Sequence, residues 1–149
     1  MNQPNIAPPP RELHDAINLG YGPMDAIHRE FDELMAQTQQ DGDAELAGHL
    51  AQLGAHLRAH FDAENGWMNS SAFPARDCHI DEHAAVLASL DEVMPLVAAG
   101  DHALGRRFVA ELASWFPGHA DYLDSALAHW MCKQQYGGKP VVLTRRPTR

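Results

Sequence analysis

The stretch LAGHLAQLGAHLRAHFDAENGW, residues 46–67, sets the architecture of this 149-residue chain. Leu46, Leu50, Leu53, Leu57, His60, Glu64 and Trp67 succeed one another at alternating spacings of four and three. An α-helix turns once in about 3.6 residues, so these positions form one stripe, the seam by which a helix packs into a bundle. The stripe is aliphatic as far as Leu57 and then becomes His60 and Glu64, which the same periodicity points inward. His56 lies beside Leu57, off the stripe, and is expected to face outward.

On either side of this stretch, three more helices are legible. Pro23 suits a helix start, and Met24, Ile27, Phe31 and Leu34 follow at helical spacing with His28 on the same stripe, up to a stop near Asp41-Gly42-Asp43. The segment Asn69 to Arg76, with Pro74 inside it, reads as a loop. Asp77 is a plausible N-cap for a helix whose stripe is His79, His83, Val86, Leu90, Val93 and Val97, with Pro95 expected to kink it or end it early. Gly100 and Asp101 turn the chain into a fourth helix carrying Leu104, Phe108, Leu112, Trp115 and His119 on one face. Four amphipathic helices with short connections predict an all-α, antiparallel up-down-up-down four-helix bundle.

Placed on these helices, seven metal-capable side chains fall in four clusters: His28; His60 and Glu64; His79 and His83; His119 and Asp124. Residues four apart on a helix stack on one face, about 6 Å apart at Cβ, so His60/Glu64 and His79/His83 can each aim two donor atoms at one centre. Counted from the turns at about 1.5 Å per residue, all four clusters reach a similar height in an antiparallel bundle. Five imidazoles and two carboxylates are too many for one tetrahedral zinc and suit a pair of first-row transition metals. A donor set without cysteine excludes an iron–sulfur cluster. Asp124 is the donor that stacking explains least, because five residues on an α-helix turn it about 140° from His119. Pro117-Gly118, just before His119, is expected to kink the chain there. His14, His49, His56, His102 and His129 are read as surface or partly packed residues.

Composition narrows the function classes. The length fits one domain, read as a proline-rich arm over 1–19, a bundle over 20–136 and a basic tail over 137–149. The tail carries Lys139, Arg145, Arg146 and Arg149 and no acid, so the net charge of −9 becomes −13 for the remainder. Such acidity argues against nucleic acid as a partner. No apolar run approaches the roughly 20 residues of a membrane span, and the N-terminal residues lack the basic start and apolar stretch of a secretory signal, so a cytoplasmic protein is expected. Cys78 and Cys132 are too few for a disulfide framework.

The order and spacing of these clusters resemble the hemerythrin family in its bacterial single-domain form. The local contexts are Met24-Asp-Ala-Ile-His28-Arg-Glu-Phe31, His60-Phe-Asp-Ala-Glu64 with Met68 following, His79-Ile-Asp-Glu-His83, and Trp115 four residues before His119. The resemblance covers roughly residues 20 to 131, and the five-residue step to Asp124 is the family's own. It implies two iron ions joined by an oxo or hydroxo group and by Glu64 and Asp124. His79, His83 and His119 would complete one iron. His28 and His60 would complete the other, leaving it one position short, where dioxygen or a small anion would bind. The function implied is reversible dioxygen binding for carriage, storage or supply, with no catalytic residues. A di-iron peroxidase, oxidase or nitric-oxide-handling enzyme, and an oxygen or iron sensor, are the alternatives. Ferritin-like enzymes favour glutamate-rich Glu-x-x-His sites, and the histidine-rich pattern points away from them.

Overall fold

The computed structural model describes residues 18–135. The basic tail, His14 and all of the proline-rich arm but its last two residues lie outside the described residues. Helix α1 spans Gly22–Gln39, α2 Asp43–Ser70, α3 Arg76–Ala98 and α4 His102–His119; one π-helical turn, Ala120–Asp124, then leads without a break into α5, Ser125–Gln135. The last three segments act as one long fourth helix, and the whole is the expected all-α four-helix bundle. Connections of five residues or fewer force consecutive helices to lie side by side. Helix α2 packs on α1 and α3, and α4 closes the ring against both α1 and α3.

The apolar interior has two parts. One cluster runs through Phe31 and Met35 of α1, Leu46 to Phe61 of α2, Leu90 to Val97 of α3 and Val109 to Ala120 of the fourth helix. The other joins Tyr21, Met24, Met68, Phe73, Leu127 and Ala128. On each helix the metal-capable residues fall where one cluster gives way to the other. A polar centre is therefore sealed by hydrocarbon above and below.

Three local expectations change. The buried face of α4 is Gly105, Val109, Leu112, Phe116 and His119, while Leu104, Phe108 and Trp115 flank it half-buried. Gly105 sets this rotation: a Cβ there would come within 2.8 Å of Val97 Cγ2 and 3.2 Å of Leu46 Cδ2, so bare backbone fills a core position that apolar periodicity passes over. Pro95 does not end α3 early, since it lies in the final turn and its carbonyl still accepts from the Ala99 N–H at 3.1 Å. Asp77 falls in the first turn of α3, not at its cap, where its charge faces the positive end of the helix. Asp101 does cap α4, accepting from the Leu104 N–H at 3.1 Å, after Gly100 turns the chain at φ +110°.

Candidate metal centre

Helix α1 supplies His28, α2 supplies His60 and Glu64, α3 supplies His79 and His83, and the fourth helix supplies His119 and Asp124. All seven are at most 3% exposed, and the fold brings all of them together. Asp124 joins the group because the π-helical turn spans the interval from His119. Such a turn closes i→i+5 hydrogen bonds, which lengthens one turn by a residue and returns the fifth residue to the starting face. The departure from α-geometry expected at Pro117 is thus taken up after His119, and Pro117 itself remains within α4.

The seven donors form two halves that share both carboxylates. In one half, His83 Nε2 is 3.2 Å from Glu64 Oε1, while His79 Nε2 and His119 Nε2 are 2.9 and 3.0 Å from Asp124 Oδ1. In the other, His60 Nε2 and His28 Nε2 are 2.9 and 3.4 Å from Glu64 Oε2, and His28 Nε2 is 3.2 Å from Asp124 Oδ2. Each carboxylate therefore turns one oxygen to a three-histidine side and the other to a two-histidine side. Glu64, His79, His83, His119 and Asp124 could hold one ion, and His28, His60 and Glu64 another, with the donor atoms of each group within 4.8 Å of one another.

The donors fit metal better than they fit each other. Among the described residues, His28 Nε2, Glu64 Oε1 and both Asp124 oxygens are buried with no aligned hydrogen bond, despite the short separations above. Buried polar atoms are normally paired, and lone pairs converging on a common space are what a cation satisfies. The electrostatics agree. Burial would lower His28 and His79, but the contacts with Asp124 and Glu64 outweigh it and push both up to about 9. Burial would raise Glu64 and Asp124, yet the surrounding imidazoles hold both well below the ordinary carboxylate range. The site is built for positive charge beside two ionised carboxylates.

A second ring of contacts orients the imidazoles. With each Nε2 facing the centre, the opposite nitrogen carries the proton and needs an acceptor. His83 Nδ1 donates to Asn65 Oδ1 at 2.8 Å, and His119 Nδ1 donates to Glu82 Oε1 at 3.1 Å. The same oxygen accepts from Trp115 Nε1 at 2.9 Å. Phe61 stacks on His83, centroids 4.1 Å apart and planes 8° from parallel.

His56 corrects the expectation that it faces outward. It is buried at 8% exposure, and its Nε2 lies 3.2 Å from His60 Nδ1. The narrow seam read from the leucines is too narrow for α2, which buries Leu53, Gly54, His56, Leu57, His60 and Phe61 because it meets neighbours on two sides. The 56/60 spacing of four was the available signal. Asn65 and Glu82 were missed too, and their signal is adjacency, since each directly follows or precedes a donor. His49, His102 and His129 lie away from the centre as expected, His49 pairing with Asp41 at 2.6 Å.

A four-helix bundle with a buried histidine–carboxylate cluster of two halves defines a metal-binding helical protein. Residues 19–130 match the family model described as the hemerythrin HHE cation binding domain, and the chain belongs to the hemerythrin family. It is similar to a bacteriohemerythrin of Ralstonia nicotianae (strain ATCC BAA-1114 / GMI1000), 38% identical over 120 residues that cover 80% of this chain and 88% of the relative. No solved structure matches the chain.

Proposed function

We propose that the bundle holds two iron ions and binds dioxygen reversibly at the one held by His28 and His60. The observation that carries this reading is the division of Glu64 and Asp124, each with one oxygen toward His79, His83 and His119 and one toward His28 and His60. Carboxylates so placed could each serve both ions, and all seven residues would hold the pair. When bound, the pair supplies the two electrons that dioxygen needs and recovers them on release. The name of the Ralstonia relative and the family match support the same reading.

The residues of the chain decide which side is open. His28 and His60 offer one imidazole fewer than the opposite half, leaving room for dioxygen or a small anion such as azide. Phe116 meets the His28 ring edge-on at 5.2 Å, and Phe31 meets the His60 ring at 6.0 Å, so the open side is walled by hydrocarbon that keeps water out. The active unit is the bundle, 20–136. Two unpaired cysteines, Cys78 and Cys132, fit a reducing cytoplasm. Among the described residues no helix is long and apolar enough to cross a membrane.

The test is to load the protein with iron, reduce it, admit oxygen while recording the visible spectrum, and then lower the oxygen pressure. A new band that fades as oxygen is withdrawn is expected. Immediate one-way oxidation would instead favour a di-iron redox enzyme. That second reading draws on the surface groove between α1 and α2, which reaches His60 and could admit a reductant.

A further inference from the structure

We propose that His56 is a positioning residue of the metal centre, accepting the Nδ1 proton of His60 and passing the hydrogen-bond chain on to Glu30 at the surface. The inference rests on the metal reading above. His56 Nε2 stands 3.2 Å from His60 Nδ1, and His56 Nδ1 stands 3.4 Å from Glu30 Oε1. The chain Glu30, His56, His60 thus runs from a side chain that is 67% exposed, through one that is 5% exposed, to a donor facing the cavity.

The proton directions follow from the outer end. Glu30 can only accept when ionised, so His56 Nδ1 carries the proton and its Nε2 is left as an acceptor. His60 must then donate from Nδ1, which frees its Nε2 lone pair for metal. Neighbouring rings hold His56 in this orientation. Phe31 stacks on it with centroids 5.9 Å apart and planes 27° from parallel, and it meets His60 nearly perpendicular at 5.2 Å. The other half of the site uses Asn65 for His83 and Glu82 for His119 in the same way. His28 Nδ1 finds no acceptor among the described residues, so on the two-histidine side His60 alone has one.

An imidazole whose far N–H is held by an acceptor is the better electron donor and keeps one orientation, and losing such a partner typically weakens metal binding roughly 10- to 100-fold. His56 should therefore set how tightly the two-histidine position holds its ion and how readily it favours the oxidised state. The groove beside it, lined by Ile27, Glu30, Leu34, His56, Ala59 and His60, has a volume of about 460 Å³, room enough for water to reach Glu30 and the outer edge of the chain.

The test compares His56→Leu, which removes the acceptor, with His56→Gln, whose amide oxygen can reach the place of Nε2, and with Glu30→Ala, which cannot disturb the core. Each full-length variant is loaded with zinc for ¹H–¹⁵N spectra of the His60 ring, and with iron for chelator competition, azide titration and reduction potential. The expected result is a hydrogen-bonded His60 Nδ1–H in the parent that is lost in His56→Leu. Faster release of one of two irons and a more positive potential should accompany it. His56→Gln should recover both, and Glu30→Ala should lie between. The proposal is overturned if His56→Leu leaves the His60 resonance, the iron release and the potential as in the parent, or if His56→Gln behaves like His56→Leu. A parent that takes up no metal defeats the metal reading and this proposal together. A parent that holds two irons while the variants change nothing defeats this proposal alone.

Discussion

Asp124 Oδ1 sits 3.0 Å from His119 Nε2 although the two residues are five apart in the chain. An unbroken α-helix would leave them on different faces, and the π-helical turn Ala120–Asp124 brings them back to one. The same turn gives Asp124 its second oxygen on the His28 side, 3.2 Å away.

Asp124 should therefore couple the two metal positions. Asp124→Ala removes one oxygen from each half while leaving three histidines and Glu64 in place on one side. Metal content per chain should fall from two ions to one or fewer, with helicity retained when metal is present. Two ions still bound, read by elemental analysis against protein concentration, would show that Asp124 bridges nothing.

Glu82 should matter without touching the cavity. Its Oε1 accepts from both His119 Nδ1 and Trp115 Nε1, so Glu82→Ala leaves His119 free to rotate and Trp115 unpaired. Metal affinity, measured by competition with a chelator, should drop roughly 10- to 100-fold. Glu82→Gln retains an oxygen acceptor and should lose less.

The metal-free protein should be most stable in mildly acidic solution. For His28 and His79, burial lowers the pKa but Asp124 and Glu64 raise it more, to about 9 from 6.5. Groups raised on folding stabilise fully below about pH 6.5, and that contribution is lost as pH climbs toward about 9. Glu64 and Asp124 are lowered, so their contribution is present above the ordinary carboxylate range and is lost on acidification. His83, which burial lowers, steepens the fall on the acid side. Thermal melts of metal-free protein should peak between about pH 5 and 6.5. Metal uptake at pH 7 must displace the protons on His28 and His79, so its calorimetric heat should vary with the ionisation enthalpy of the buffer. A heat independent of buffer would contradict this.

Gly105→Ala should destabilise the bundle at a distance from the metal. The added Cβ would lie 2.8 Å from Val97 Cγ2 and 3.2 Å from Leu46 Cδ2, both buried. Overpacking of this kind costs about 1–3 kcal/mol. Chemical denaturation should register the loss, and adding Val97→Ala should recover part of it.

The four helices and six of the seven inward donors are legible in short-range periodicity; Asp124 is not, because an α-helix would turn it about 140° from His119 and only the π-helical turn brings it in. Leu46 to Glu64 show the seam, and the pairs His60/Glu64 and His79/His83 need only the pitch of one helix to share a face. Whatever depends on the relation between helices emerges only when they pack. His56 is buried because α1 lies against the flank of α2, a fact no single-helix stripe contains. Gly105 is a core residue because it has no side chain, so only the approach of Val97 and Leu46 reveals it. Glu82 serves His119 from another helix, 37 residues away in the chain. Above all, the division of each carboxylate between two sets of imidazoles is a property of all four helices at once: local α-helical spacing can place six donors inside, but only packing chooses which oxygen each one meets.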